Sequence, residues 1–175
     1  RGAASIPVIG RYSRDNLLKF PSAAEELLQA YPESDQIKVR IMGGVHSCGV
    51  LMGESAVPSN WELLPYGQID VREFLAGTDY FVYFDNDRIV EAFGRSILEA
   101  IASGRIVLLP EKFRPVFGEA AVYCEPADVA ELICKIHSDA EFRLKIRGRV
   151  ARELQARFSH QSYFNRISGM LAHLN

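Results

Sequence analysis

Glu91-Ala92-Phe93-Gly94-Arg95-Ser96-Ile97-Leu98-Glu99-Ala100-Ile101-Ala102-Ser103-Gly104 stands between two apolar runs, the aromatic Tyr80 to Phe84 before it and Ile106 to Leu109 after it. Short apolar runs bounded by turn residues read as buried strands. Between them Ile97, Leu98 and Ile101 recur at helical spacing, and Gly104 ends the helix. The unit is therefore strand, turn, helix, strand, and the turn lies where the first strand ends. Two strands buried on both faces and joined through a helix run parallel, because a crossover of this length returns the chain to the same edge of the sheet.

The same alternation extends in both directions. Upstream, Ile6 to Ile9 predicts a strand ending at Gly10-Arg11, and Ala23 to Leu28 predicts a helix. Ile37 to Met42 is a strand stopped by Gly43-Gly44, Trp61 to Tyr66 a strand stopped by Gly67, and Val71 to Ala76 a short helix. Downstream, Ala121 to Cys124 is a strand, Asp128 caps a helix, and the remainder is helical with Ser138 and Ser159 as caps. The expected architecture is α/β: a doubly wound, Rossmann-like parallel sheet with helices on both faces and a helical C-terminus, forming a single domain over residues 1–175. In such sheets ligands bind beyond the carboxyl ends of the strands.

Composition narrows the function classes. Hydrophobic residues make up 48% and charged residues 24% of 175, enough for one core that buries about 70% of the unfolded surface. A net charge of -2 lacks the basic footprint of nucleic-acid binders, so no nucleic-acid partner is expected. Cys48, Cys124 and Cys134 form no CxxC pair, which fits a reducing, cytoplasmic setting and neither a disulfide framework nor a zinc site. No apolar run approaches bilayer-spanning length. The chain begins at Arg1, without a methionine, as a piece of a longer protein would.

The turn at Gly94 carries readable chemistry. Glycine permits close approach of a ligand to the backbone, and the unsatisfied amides of the following helix attract phosphate oxygens. Glu91 precedes the helix and Glu99 lies inside it, separated by about 7 Å of rise, so they suit different hydroxyl pairs. As isolated residues both would be ordinary helix-start and solvated glutamates.

Glu91-Ala92-Phe93-Gly94, then Glu99-Ala100-Ile101-Ala102-Ser103-Gly104 and an apolar strand, resemble the retaining GT-B glycosyltransferases of family 4, whose pattern is Glu, seven residues, Glu. The resemblance implies the C-terminal, donor-binding half of such an enzyme, with an N-terminal acceptor domain elsewhere in the protein. Glu91 would be catalytic, contacting the donor sugar, and Glu99 would hold the ribose hydroxyls. The amides of Phe93 and Gly94 would face sugar or phosphate. A strand ending in Gly10-Arg11 matches the family's opening, which implies that Arg11 binds the diphosphate. The family's lysine normally stands where this chain has Asn16, which leaves Lys19 or Arg14 as the second cation, Lys19 being preferred. Gly44 would meet the donor at the second strand, and Tyr66 to Ile69 would bracket the base. The donor would be a UDP-, GDP- or ADP-sugar, with no cofactor and no metal. The chain alone would be inactive. Peripheral membrane contact of the parent enzyme is open. A nucleotide-sugar epimerase of the same plan and a non-catalytic α/β interaction domain are the alternatives.

Three weaker signals point to structure rather than chemistry. Asp85-Asn86-Asp87 resembles a metal-binding Asp-X-Asp but suits a loop after a strand. His46 and Cys48 follow Gly44 and read as structural. The basic series from Arg143 to Arg157 predicts a solvated face, with residues 142, 144, 146 and 150 toward the core, and the apolar residues of 162–174 are expected to pack as core.

Overall fold

β-Branched and aromatic residues build one parallel sheet in a computed structural model that describes residues 5–53, 57–88 and 93–172. Its strands are β1 (Val8–Tyr12), β2 (Lys38–Met42), β3 (Trp61–Leu64), β4 (Tyr80–Val82), β5 (Ile106–Leu109) and β6 (Val122–Tyr123). They lie in the order β3-β2-β1-β4-β5-β6, and every pairing is parallel. The chain winds outward from β1 to β3, then crosses to β4 on the other side of β1. The loops after β1 and β4 therefore diverge, which opens the ligand crevice of a doubly wound sheet.

The α-helices are α1 (Ala24–Ala30), α2 (Val45–Met52), α3 (Val71–Ala76), α4 (Arg95–Ala102), α5 (Arg114–Phe117), α6 (Val129–Ser138), α7 (Ala140–Phe158) and α8 (His160–Ala172). Alternation along β1 shows that both faces are covered. Tyr12 meets the Phe74 ring of α3, whereas the adjacent Arg11 reaches Tyr31 just past α1. Ile9, Phe81, Val82, Val107 and Leu108 are fully buried at the centre, each contributing about 1.5–3 kcal/mol on removal from water. No helix among the described residues is long and apolar enough to cross a membrane.

Five expectations are corrected. β1 does not stop before Gly10-Arg11: both are mid-strand, with Gly10 opposite Arg40 and Phe81. Gly10 is required by packing, because a Cβ there would sit 2.9 Å from the Thr78 Cβ. Residues 45–52, assigned no element from sequence, form α2. Ser138 does not cap α7; Asp139 does, accepting from the Phe142 amide at 2.9 Å, while the Ser138 hydroxyl turns back to the Lys135 carbonyl. Ile146 and Val150 are buried, but Phe142 and Leu144 are exposed, and so are Tyr163, Phe164, Ile167, Met170 and Leu171 on α8. Leu144 lies two residues from Ile146, hence on the opposite side of the helix. Ser159, by contrast, does cap α8, accepting from the Ser162 amide.

Candidate functional site

Immediately after β1 the chain leaves the sheet through a loop pinned at two points. Asp15 accepts from the amides of His46 and Ser47 and from the Ser47 hydroxyl, at 2.6–2.9 Å, and so closes the N-terminus of α2. Burial works to raise its pKa, but these hydrogen bonds win and hold the carboxyl below its ordinary value. Asn16 accepts from the Leu18 amide and starts a 3₁₀ turn over Leu17–Lys19. The Asn86 amide donates to the Leu18 carbonyl at 3.2 Å, tying this loop to the one after β4.

Opposite the loop, α4 begins at Gly94, which adopts φ 71 and leaves the first turn without a side-chain cap. Ile97, Ala100 and Ile101 bury one side of α4, and that amphipathic division leaves Arg95, Ser96 and Glu99 on the other. Between them lies a cleft of about 410 Å³ lined by Tyr12, Ser13, Arg14, Lys19, Tyr66, Val71, Tyr83, Arg95, Ser96 and Glu99. Three cations thus line a cleft beside a helix start, which is the electrostatic setting that phosphate oxygens seek. At one end the Tyr12 hydroxyl donates to Glu99 Oε2, and Arg95 Nε stands 3.8 Å from Oε1. Burial, followed by the hydrogen bond to Glu99, pushes the Tyr12 phenol well above its ordinary value, so it is a donor throughout the physiological range.

The residues expected from sequence divide into three groups. Lys19, Arg14 and Glu99 line the cleft together with Tyr66, whereas Gly94 is buried at the start of α4 and is not among the lining residues. Arg11 lies behind the wall: it is fully buried, its guanidinium carbon 4.1 Å from the Phe20 ring centre and 4.4 Å from that of Tyr83, itself a cleft residue. Nη1 donates to Tyr31 Oη and the Phe84 carbonyl, both at 2.9 Å, while Nε and Nη2 have no hydrogen-bond partner among the described residues. Gly44 is buried at the start of α2 and does not line the cleft; the amides that would have served an anion there are taken by Asp15. The Phe93 ring packs on Phe117 and Phe158 at centroid distances of 6.4 and 6.2 Å. Glu91 lies outside the described residues.

Sequence reasoning missed Tyr12, Ser13, Tyr83, Arg95 and Ser96. Arg95 and Ser96 had a signal, since they directly follow the turn glycine. Tyr12 had one only if β1 is run on past Gly10-Arg11. Asp85, buried at the end of β4, forms an ion pair with Lys112 at 2.8 Å, and among the described residues no group of three or more His, Cys, Asp or Glu is placed to hold a metal ion. A larger hollow of about 760 Å³ exists beside Lys38, Asn60 and Trp61. It lies at the amino ends of the strands, whereas ligands of such sheets bind beyond the carboxyl ends, so the crevice there is the better site.

No protein-family model matches the sequence, and a search of curated proteins finds no match. Solved structures do match by fold. Anabaena HepE in complex with UDP-glucose is similar with a TM-score of 0.70 at 19% identity, over 98% of this chain and 50% of that one. A glycosyltransferase from Rickettsia africae matches with a TM-score of 0.66 at 15% identity, over 95% and 47%. The trehalose-6-phosphate synthase OtsA gives 0.62 at 15%, over 95% and 44%. At these identities the likeness establishes the fold. The chain spans half or less of the length of these neighbours.

Proposed function

We propose that this chain is the donor-binding half of a two-domain GT-B glycosyltransferase, which takes a nucleoside-diphosphate sugar and, with its other half, transfers the sugar with retention. The observation that carries the reading is the cleft itself, where Arg14, Lys19 and Arg95 line one hollow beside the start of α4 and Glu99 closes one end. A diphosphate fits the cations and the helix start, and a vicinal diol fits a carboxylate. The GT-B likeness in the sequence supports Glu99 as the ribose ligand and Glu91 as the group at the donor sugar. With three cations lining the cleft, donor binding should survive chelation of divalent metal.

UDP is the first nucleotide to test, because HepE of the same fold is in complex with UDP-glucose. The exposed apolar side chains of α8 are where we place the contact with the other half. Calorimetric titration of the chain with UDP, GDP and ADP, with and without a chelator, tests the proposal. Saturable binding of one diphosphate in the chelator supports it; binding of none leaves an interaction domain. The chain alone should bind donor without turnover, since acceptor contacts would lie in the other half.

A further inference from the structure

We infer that Tyr12 is a positioning residue that fixes the carboxylate of Glu99 in the orientation that recognises a ribose diol, and so sets the preference for ribo- over deoxyribonucleotides. The inference rests on the proposed donor cleft and on Glu99 as its ribose ligand. Glu99 is 44% exposed on its side chain, and an exposed glutamate samples several rotamers, each of which aims its oxygens differently. Tyr12 is the opposite kind of group. It is 5% exposed, it ends β1, and its ring is fixed edge-on against Phe74 at 5.9 Å and Phe81 at 5.6 Å. A rigid phenol donating to Oε2 restricts the rotation of a carboxylate that lines the cleft, and leaves Oε1 without a contact to Tyr12. Recognition by a group held in place beforehand costs less on binding than recognition by one that must be ordered.

Arg95 is the competing anchor and the weaker one. Its side chain is 83% exposed and its Nε is 3.8 Å from Oε1, beyond hydrogen-bond distance, so it restrains the carboxylate less than the phenol does. Tyr12→Phe removes the single hydroxyl and keeps the ring contacts, so the variant should fold. The experiment measures affinity of the wild type, Tyr12→Phe and Arg95→Gln for UDP and for 2′,3′-dideoxy-UDP, with thermal melts as a folding check. Tyr12→Phe is expected to weaken UDP about tenfold, the scale of one hydrogen bond to a charged group, and dideoxy-UDP less than twofold. Arg95→Gln is expected to weaken both ligands alike. If Tyr12→Phe weakens both equally, or neither, Tyr12 is only a packing residue and the inference is overturned. It is also overturned if Arg95→Gln alone erases the ribose preference. A wild type that binds UDP and dideoxy-UDP equally would remove Glu99 from the ribose and this inference with it, while a wild type that binds neither would sink the donor cleft as a whole.

Discussion

Replacing Arg11 by methionine separates structural from ligand-binding use of a buried cation. Methionine fills similar volume without charge. The change gives up two hydrogen bonds from a charged donor, about 1.5–3 kcal/mol each, and cation–π contacts with two rings, about 2 kcal/mol when desolvated. Only the Phe84 carbonyl is orphaned, since the Tyr31 hydroxyl still donates to the Val82 carbonyl at 2.9 Å. Against this, no carboxylate among the described residues pairs with Arg11, and Nε and Nη2 are unsatisfied. A buried unpaired cation costs several kcal/mol in desolvation, and two unmade donors cost about 1–3 kcal/mol each. The opposing sums are of similar size, so Arg11→Met should unfold in urea within about 2 kcal/mol of wild type. Arg11→Ala, which adds a cavity, should lose about 2–5 kcal/mol more. If Nε and Nη2 are held for the diphosphate, reached when Phe20 or Tyr83 gives way, Arg11→Met will weaken UDP binding about ten- to a hundredfold, the worth of a charged hydrogen bond. Affinity unchanged within twofold, or destabilisation above about 5 kcal/mol, would refute this reasoning and make Arg11 a scaffold cation.

Three further outcomes are expected. Glu99→Ala should weaken nucleoside diphosphate binding by about 1.5–3 kcal/mol with little change in the melting temperature, and equal affinities by calorimetry would remove Glu99 from the site. Asp15→Ala should cost about 1 kcal/mol, as a lost helix cap does. Because folding lowers the pKa of Asp15, the stability it adds is present above the ordinary aspartate range and is lost as pH falls through the lower, folded value. Wild type and Asp15→Ala should therefore converge in acid denaturation, and a gap that persists at the lowest pH would contradict the cap. Thiol labelling at pH 8 should modify exposed Cys134 first, whereas Cys48, fully buried and pushed by burial up to about 12, should react only on unfolding.

The legible part of this fold was whatever followed from periodicity. Val71–Ala76 and Ile106–Leu109 were located to the residue, because an amphipathic turn ending in glycine and an unbroken apolar run halted by proline have few competing readings. α2 was lost because Val45–Met52 contains Gly49 and presents Val45 and Val50 to solvent, which blurs the short stripe of Cys48, Leu51 and Met52 that packs on the core; its start is closed by a distant carboxylate, Asp15, and pairing across the chain leaves no local trace. The end of β1 was misplaced for a related reason. Glycine and arginine read as punctuation, yet here glycine makes room for Thr78 and arginine is sandwiched between rings supplied by two other segments. That misplacement hid Tyr12, and with it half of the Glu99 arrangement. The apolar residues of α8 show the converse: periodicity identified the helix correctly but says only that a face is apolar, never which surface will cover it. Site residues that depend on a single turn, such as Glu99 and the helix start after Gly94, are therefore readable from sequence, whereas those that depend on strand parity or on a second segment, such as Tyr12 and the caged Arg11, become visible only once the sheet order places β4 beside β1.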